Sequence, residues 1–295
     1  MKMYKIAITT GDIKGIGAEI TKKALDFLCL DKKDVLIIGQ KIDDKYDTVE
    51  LDDSNNGDFC YRSLEIAANL AKEGKIGAIV TAPVSKFALL EAGYNFSGQT
   101  EVLQKLFNKK AEMLFIAGDF RVMLLTRHLP LRDVEINPQM MKDKILRLNK
   151  FLIDYCKIKT PKIALCALNP HAGENGMLGR EEIEIMLPTV CELKNEGIDI
   201  AEPKSADALF ASVGKKYLNG EKQHYDAIVA CYHDQGLCPV KALAFDKTVN
   251  TSIGLDVIRT SPSCGTAYDI AGKGIADATS MVEAIKLAFS LTKLN

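Results

Sequence analysis

Short apolar runs alternate with longer amphipathic segments along most of the chain. The runs are typical of β-strands that are covered on both faces. They are Tyr4–Thr10, Val35–Ile38, Ala78–Thr81, Met113–Ile116, Val122–Thr126, Ile163–Ala167, Ala227–Cys231 and Val249–Ile253. The apolar stripes of two amphipathic helices lie at Met141, Ile145, Leu148, Leu152 and Tyr155 and at Met281, Ile285, Leu287, Ala288 and Phe289. The alternation predicts an α/β fold with a mostly parallel sheet and helices on both faces.

The length of 295 residues predicts two lobes around a cleft, because single hydrophobic cores stop growing at about this size. Two turn-rich breaks, at 92–100 and 261–265, could join the lobes. We therefore place the first lobe at 1–97 plus 266–295 and the second at 98–265. The polar segment 41–58 is interpreted as a surface excursion.

Composition and charge exclude several classes of protein. The chain has 38 Lys and Arg against 39 Asp and Glu, a formal charge of −1. Proteins that bind nucleic acid or anionic membranes normally carry a basic excess, so we predict neither partner. Hydrophobic residues make up 47% and charged residues 26%, which is typical of a globular domain and not of a disordered chain.

The eight cysteines predict neither a disulfide framework nor a metal cluster. No C-x-x-C motif occurs, and the closest pair, Cys231 and Cys238, is seven residues apart. Most of them lie in apolar runs, where a reduced cysteine behaves as a small hydrophobic residue. The N-terminal residues show no signal-peptide pattern, and no apolar run reaches the roughly 18 residues of a membrane span. We expect a cytoplasmic protein.

Three of the four histidines stand just past a predicted strand, each in a loop. His128, His171 and His233 follow the runs that begin at 122, 163 and 227, whereas His224 lies in a polar segment typical of a surface. Parallel strands bring their carboxyl ends to one edge of a sheet, where ligands bind. Three imidazoles that leave a coordination position open are typical of a catalytic divalent-metal site. Each histidine taken alone is more often a hydrogen-bonded loop residue.

Asp234, beside His233, has two interpretations. It could orient an imidazole, transfer a proton or join the metal shell. It could equally be a loop aspartate that caps the following residues. We keep it as a tentative catalytic residue.

A second set contains donors suited to phosphate. Lys241, Asn250 and Arg259 follow one another at intervals of nine residues. Arginine presents a planar fork that fits phosphate or carboxylate, and lysine supplies a point charge. Singly each could be a solvated surface residue, but Lys241 and Arg259 have apolar neighbours in sequence, so each charge should have a partner.

Two turns between a strand and a helix carry weaker signals. The turn 10–19 has glycines at 11, 15 and 17, which is neither G-x-G-x-x-G nor a nucleotide P-loop. It could receive an anion at a helix N-terminus. The segment Thr81-Ala-Pro-Val-Ser-Lys86 offers hydroxyls and one lysine in a similar place.

Several motifs, in order along nearly the whole chain, resemble those of the 4-hydroxythreonine-4-phosphate dehydrogenase (PdxA) family of vitamin B6 synthesis. The most specific are Asn169-Pro-His-Ala-Gly-Glu174 and Tyr232-His-Asp-Gln-Gly236. The others are Ile8-Thr-Thr-Gly-Asp-Ile-Lys-Gly-Ile-Gly-Ala-Glu-Ile20, Thr81-Ala-Pro-Val-Ser-Lys86, Ser97-Gly-Gln-Thr-Glu101, His128-Leu-Pro-Leu-Arg132, and Val249-Asn with Ile258-Arg-Thr-Ser261.

The resemblance implies a homodimer with the two-lobed α/β/α fold of isocitrate and isopropylmalate dehydrogenases and an active site in the interdomain cleft. It implies NAD or NADP as cofactor, without a Rossmann fingerprint, and a divalent metal ion such as Zn, Mg, Mn or Co. The second lobe would carry the metal ligands and the dimer interface. The metal ligands would be His128, His171 and His233, one of them supplied across the dimer. Substrate contacts would fall on Gln99, Thr100, Lys241, Asn250 and Arg259.

The implied reaction oxidises the secondary alcohol of 4-phosphooxy-L-threonine, and the resulting β-keto acid loses carbon dioxide to give 3-amino-2-oxopropyl phosphate. The residue types agree with it, since a divalent ion lowers the pKa of a bound hydroxyl. Lys241 and Arg259 would neutralise the phosphate, and Asn250 would complete its hydrogen bonds.

Three positions depart from the family pattern. Gln99 and Cys264 stand where the family usually has histidine, and the turn that usually reads Gly-Asp-Pro-Ala-Gly is Gly11-Asp-Ile-Lys-Gly15 here. A glutamine can donate to an oxygen but cannot titrate. The departures leave the proposed metal ligands intact and bear on substrate choice.

Three alternatives stay open at this point. Gln99 and Cys264 motivate a related dehydrogenase of erythronate or threonate 4-phosphate. A catalytically silent phosphometabolite-binding protein would not need the three histidines. An acyl-phosphate transferase of related architecture would not need them either.

Overall fold

The predicted strands and helices all form in the computed structural model, which describes residues 2–292. The strands are β1 (Tyr4–Thr9), β2 (Val35–Gly39), β3 (Asp47–Glu50), β4 (Ile76–Thr81), β5 (Glu112–Ala117), β6 (Phe120–Leu124), β7 (Lys162–Leu165), β8 (Asp199–Ile200), β9 (Ala227–Ala230), β10 (Val249–Ile253) and β11 (Ile258–Pro262). The helices are α1 (Gly17–Leu28), α2 (Asn56–Lys72), α3 (Lys86–Glu91), α4 (Gln99–Phe107), α5 (Pro138–Asp154), α6 (Leu187–Asn195), α7 (Ala206–Leu218), α8 (His233–Ala244) and α9 (Thr279–Leu291).

Local sequence explains where several helices begin. Asn55, Ser85 and Asn137 precede α2, α3 and α5, and each side-chain oxygen accepts a hydrogen bond from the backbone N–H three residues on. Such caps satisfy donors that have no partner inside the helix. Pro138 occupies the first position of α5, where its missing N–H costs nothing.

The chain divides into two units: residues up to Ala111 together with those from Val249 onward, and Glu112–Thr248. The sequence pattern placed the breaks at 97/98 and 265/266. Residues 98–111 group with the first unit because α4 packs on α2, and residues 249–265 do so because β11 pairs with β4.

The first unit has helices on both faces of its strands, which follow the order β3-β2-β1-β4-β11-β10. The pairs β2/β3, β1/β2, β1/β4 and β4/β11 are parallel, and β10/β11 is antiparallel. One face buries Ala7, Ile79 and Leu103 in a core that includes α2 and α4. The other face contacts α9, where Thr260 Oγ1 donates to the carbonyl of Ala284 at 2.8 Å.

The second unit has its strands in the order β5-β6-β9-β7-β8. Only β5/β6 is antiparallel among these pairs within the described residues. Its core on one face joins Phe120, Val122 and Ile228 to residues of α7 and α8, including Phe210 and Val240. The mostly parallel α/β prediction is therefore confirmed in both units.

Three short strands escaped the sequence pattern. β3 lies inside the polar segment 41–58 and is largely exposed, β8 has two residues, and β11 carries a buried arginine. None of them forms a continuous apolar run. Among residues 2–292, no helix combines the length and the apolar composition that crossing a bilayer requires.

Candidate active site

The carboxyl ends of β6, β9 and β7 carry the three predicted histidines. The three strands are adjacent and parallel in that order. His128 follows β6, His233 follows β9 and His171 follows β7, which is the arrangement that the sequence predicted. One detail was wrong. His233 does not lie in a loop but is the first residue of α8, because Tyr232 is extended and the helix begins directly after it.

His128 and His233 lie side by side. Their ring centroids are 5.4 Å apart and the rings are inclined by 50°. Both line a cavity of about 230 Å³ together with Arg127, Tyr232 and Asp234. The Nδ1 atom of His233 lies 2.7 Å from Oδ1 of Asp234. This contact orients the ring and leaves Nε2 as the atom that can take a ligand.

Imidazole is a common ligand of divalent metals. The 5.4 Å separation of the two ring centroids is compatible with two ligands of one ion as well as with ordinary packing of aromatic rings. Within the described part of the chain, however, no group of three or more His, Cys, Asp or Glu side chains is placed to hold a metal. His171 therefore does not complete the set within one chain.

His171 projects from an unusual left-handed turn. Residues 171–175 all have positive φ, between 43° and 80°, and only Gly173 among them adopts this conformation without strain. The buried carboxylate of Glu182 braces the turn, accepting hydrogen bonds from the backbone N–H and the side-chain amide of Asn169 at 2.8 and 3.0 Å. The His171 side chain is 69% exposed. Backbone strain of this kind clusters at functional sites.

Gln235 is a supporting residue that the sequence did not single out. Its Oε1 accepts from the backbone N–H of Cys231 at 2.7 Å, and its Nε2 donates to the carbonyl of Ala167 at 2.8 Å. Thr126 Oγ1 donates to the carbonyl of Cys231 at 2.8 Å. These bonds tie together the ends of the strands that precede the three histidines.

Lys241 lies in the last turn of α8 and is exposed. It belongs to the second unit, whereas Asn250 and Arg259 belong to the first. His224 is exposed, as the sequence predicted.

Arg259 is the centre of a polar cluster in the first unit. Its side chain lies on β11 and the residue is 3% exposed. The guanidinium donates from Nε and Nη2 to Thr81 Oγ1 at 2.9 and 2.7 Å, and from Nη1 to Ser252 Oγ at 3.3 Å. Burial lowers the pKa of Arg259 to about 10, although the charge of Glu101 acts in the opposite direction. The arginine is thus a buried cation that is hydrogen-bonded by neutral oxygens.

Gln99 and Thr100 open α4 beside this cluster. Gln99 Oε1 accepts from Arg259 Nη2 at 3.3 Å, and its Nε2 donates to the carbonyl of Ala82 at 3.0 Å. Thr100 is buried. Asn250 stands two residues before Ser252 on β10, and its buried Oδ1 has no hydrogen-bond partner in the structure. The hydrogen bonds therefore join two of the five predicted substrate residues, Gln99 and Arg259, to Thr81 and Ser252. Of these two hydroxyls, only Thr81 lies in a segment that the sequence singled out.

The glycine-rich turn uses several of its backbone N–H groups, which precede α1, for internal hydrogen bonds. Oδ1 of the buried Asp12 accepts from the backbone N–H of Lys14 at 2.9 Å and from Asn56 Nδ2 at 3.0 Å. Its Oδ2 accepts from the hydroxyl of Tyr268 at 2.6 Å. Gly11 has φ of +73°, and a Cβ atom there would lie 2.4 Å from the Pro83 carbonyl oxygen. Asp12 thus links the turn to α2 and to the segment that precedes α9.

The eight cysteines are all free thiols, which agrees with the prediction of no disulfide framework. Cys264, which stands at a family histidine position, is half-buried. Burial raises the pKa of the Cys264 thiol. It also raises the pKa of Cys166 to about 12. Thiols of this kind are unreactive at neutral pH.

Comparison with known proteins places this geometry among metabolic dehydrogenases. A family model described as "Pyridoxal phosphate biosynthetic protein PdxA" matches residues 6–288. The chain is 37% identical to the 4-hydroxythreonine-4-phosphate dehydrogenase of Sulfurihydrogenibium sp., covering 99% of both chains. A solved structure of the enzyme with that name from Klebsiella pneumoniae superposes with a TM-score of 0.86 at 32% identity, covering 98% of both chains.

Two further similarities are informative. A protein of Bradyrhizobium diazoefficiens, named provisionally as a D-threonate 4-phosphate dehydrogenase, is 39% identical over 80% of this chain and 70% of its own length. The isocitrate dehydrogenase structure from Methylococcus capsulatus has a TM-score of 0.54 at 15% identity, over 97% of this chain and 85% of that one. The second similarity concerns the fold alone and agrees with the predicted fold class.

Proposed function

The chain belongs to the PdxA family, and from that premise we propose that it is an NAD(P)-dependent, divalent-metal-dependent 4-hydroxythreonine-4-phosphate dehydrogenase of pyridoxal phosphate biosynthesis. The reaction oxidises 4-phosphooxy-L-threonine, and loss of carbon dioxide from the β-keto acid gives 3-amino-2-oxopropyl phosphate. The observation that carries the proposal is the pairing of His128 with His233 at the ends of adjacent parallel strands in a chain of this family.

His128 and His233 would hold the metal ion, and Asp234 would fix the ring of His233 through its contact with Nδ1. The group that these residues would hold, a divalent ion, would supply Lewis-acid chemistry that favours ionisation of a hydroxyl and stabilises developing negative charge. Asp234 is exposed and adjoins the same cavity, so it is also the tentative group for moving a proton.

The third imidazole would come from His171 of a second subunit. Within one chain His171 is exposed and stands apart from the His128–His233 pair. The left-handed turn presents it outward, and the bonds from Asn169 to Glu182 hold that turn in place. We therefore propose a homodimer in which the metal site is shared across the interface.

The phosphate would bind in the first unit, to Arg259, Asn250 and Thr100. Lys241, which the family resemblance also implies as a substrate contact, belongs to the second unit. The buried guanidinium donates to the neutral oxygens of Thr81, Ser252 and Gln99, with the charge of Glu101 nearby, and a buried cation of this kind favours an anion. Asn250 would donate to a phosphate oxygen from its Nδ2 atom, because its amide oxygen can only accept hydrogen bonds.

A nicotinamide dinucleotide would accept the hydride, since the family is one of dehydrogenases. We also propose a cytoplasmic location, because eight free thiols suit a reducing compartment.

Threonate 4-phosphate is a second candidate substrate. The relative from Bradyrhizobium carries that name, and Gln99 replaces a family histidine beside Arg259. The two substrates differ at C2, where one carries an amine and the other a hydroxyl, so a direct comparison of their turnover separates them.

A substrate panel tests both candidates. Metal-stripped protein, reconstituted separately with Zn²⁺, Mg²⁺, Mn²⁺ or Co²⁺, would be assayed for NADH or NADPH formation from 4-phosphooxy-L-threonine and from erythronate and threonate 4-phosphates. We expect the phosphothreonine to be oxidised with the highest kcat/KM, and only when metal is present. Robust use of threonate 4-phosphate with no turnover of the phosphothreonine would replace the first proposal by the second.

A further inference from the structure

The two edges of the Arg259 guanidinium are held differently. Along the Nε–Nη2 edge, both nitrogens donate to the single hydroxyl oxygen of Thr81 at 2.9 and 2.7 Å. Along the Nη1–Nη2 edge, the contacts are the longer ones of 3.3 Å to Ser252 Oγ and Gln99 Oε1. The short bonds fix the rotation of the fork, so its outer edge keeps one direction.

Strand register explains why Thr81 is the residue in this place. Arg259 lies directly opposite Ile79 in the parallel pair β4/β11. Because side chains alternate between faces, Thr81 lies on the same face as Ile79 and Arg259, one step nearer the carboxyl end of β4. Ser252 faces Arg259 from β10 on the other side. Thr81 is 0% exposed, so its hydroxyl is fixed by the sheet.

We propose that Thr81 is a positioning residue that presets the outer edge of the Arg259 fork for the phosphate group of the substrate. The inference rests on the proposed function, in which Arg259 binds a phosphomonoester. In this proposal Thr81 acts through Arg259, because its hydroxyl oxygen accepts two guanidinium N–H groups. It acts by removing the rotational freedom that Arg259 would otherwise lose on binding.

A positioning role and a purely structural role of Thr81 predict different effects when its hydroxyl is removed. A structural hydroxyl contributes to stability alone. Removal of a positioning hydroxyl weakens phosphate binding and therefore raises KM. The value of kcat stays nearly constant, because the phosphate is bound equally in the substrate complex and in the transition state.

Three variants separate these roles. Thr81→Val keeps the shape and removes the acceptor, and Thr81→Ser keeps the acceptor. Thr260→Val is the matched control. Thr260 is equally buried on β11 but points to the opposite face, and its replacement by valine removes one hydrogen bond, to the carbonyl of Ala284. We expect Thr81→Val to raise KM for 4-phosphooxy-L-threonine by about 10- to 100-fold, as for loss of hydrogen bonds to a charged group. We expect Thr81→Ser and Thr260→Val to keep KM within about 3-fold.

Titration calorimetry with inorganic phosphate makes the test independent of turnover. Wild-type protein should bind phosphate, and Thr81→Val should bind it about 10-fold or more weakly, with thermal melting to confirm folding. If Thr81→Val does not fold, the comparison of Thr81→Ser with Thr81→Ala decides in the same way. Absence of turnover with intact phosphate binding would overturn the proposed substrate only. Unchanged phosphate affinity in Thr81→Val, no phosphate binding by the wild type, or an equal fall of kcat and kcat/KM would overturn the role of Thr81.

Discussion

The histidine pair of the second unit and the arginine cluster of the first unit are built in opposite ways. His233 has a side chain that is 35% exposed and His171 one that is 69% exposed, whereas Arg259 is 3% exposed. The histidines follow strands, in a loop, a strained turn and the first turn of a helix. Arg259 and its partners Thr81 and Ser252 stand within strands.

The difference indicates how each site reaches its working geometry. Neighbouring strands fix the arginine cluster before any ligand binds. Hydroxyl groups on those strands accept hydrogen bonds from the guanidinium and so offset part of the free energy that burying its charge costs. Asp234 already orients the ring of His233, whereas the exposed His171 would, under the proposed function, reach the metal only from a second subunit. Four experiments test this contrast.

Loss of a metal ligand should have the largest effect. His128→Ala or His233→Ala should lower bound metal, measured by atomic emission, to near zero, and kcat/KM should fall about 10³-fold or more because the Lewis acid is lost. His224→Ala, an exposed histidine of the same unit, is the control and should match the wild type. Full metal content in either variant would exclude the pair as a metal site.

Removal of the buried cation should come next. Arg259→Met should raise KM for the phosphorylated substrate about 10²- to 10³-fold, because the phosphate loses a desolvated charge partner. Metal content should not change, since Arg259 belongs to the other unit. The exposed Arg62→Met is the control for loss of one arginine. An unaltered KM would remove Arg259 from the binding site.

Loss of the support behind His233 should have an intermediate effect. Asp234→Asn replaces the carboxylate that lies 2.7 Å from Nδ1 of His233. We expect metal affinity, measured by competition with a chelating dye, to fall about 10- to 100-fold. If affinity is unchanged while kcat falls, Asp234 transfers a proton and does not orient the ring.

The smallest effect should come from Gln99. Gln99→Met removes the 3.3 Å contact to Arg259 while Thr81 still holds the guanidinium. We therefore expect KM to rise only about 2- to 10-fold, the range for one weak hydrogen bond. A larger rise than that of Thr81→Val would mean that Gln99, and not Thr81, sets the direction of the fork.

Much of the fold could be predicted from the chain because the central strands are continuous apolar runs. β1, β2, β4 and β9 need no tertiary information to be recognised, since they are buried on both faces. β3 and β11 could not be found in this way. β3 has Val49 as its only apolar residue and is exposed at both ends. β11 contains Arg259, whose buried guanidinium donates to hydroxyls from two neighbouring strands.

The residues of the candidate site also differ in how far the sequence predicted them. The positions of the histidines after three strands were readable, because strand ends are visible in the sequence. Two of the supporting residues, Thr81 and Gln235, lie in segments that the sequence singled out. The contacts of Thr81, Ser252 and Gln235 were not readable, because their partners are brought near by strand pairing or by a helix start.

The sequence by itself determined the α/β class, the central strands, the resemblance to one enzyme family and the placing of three histidines at strand ends. These follow from local periodicity and from ordered motifs. Only the tertiary structure decided that His128 and His233 meet while His171 turns outward, and that Arg259 is buried against Thr81. The physical reason is that strand order and register, which set these contacts, depend on packing between segments far apart in the chain.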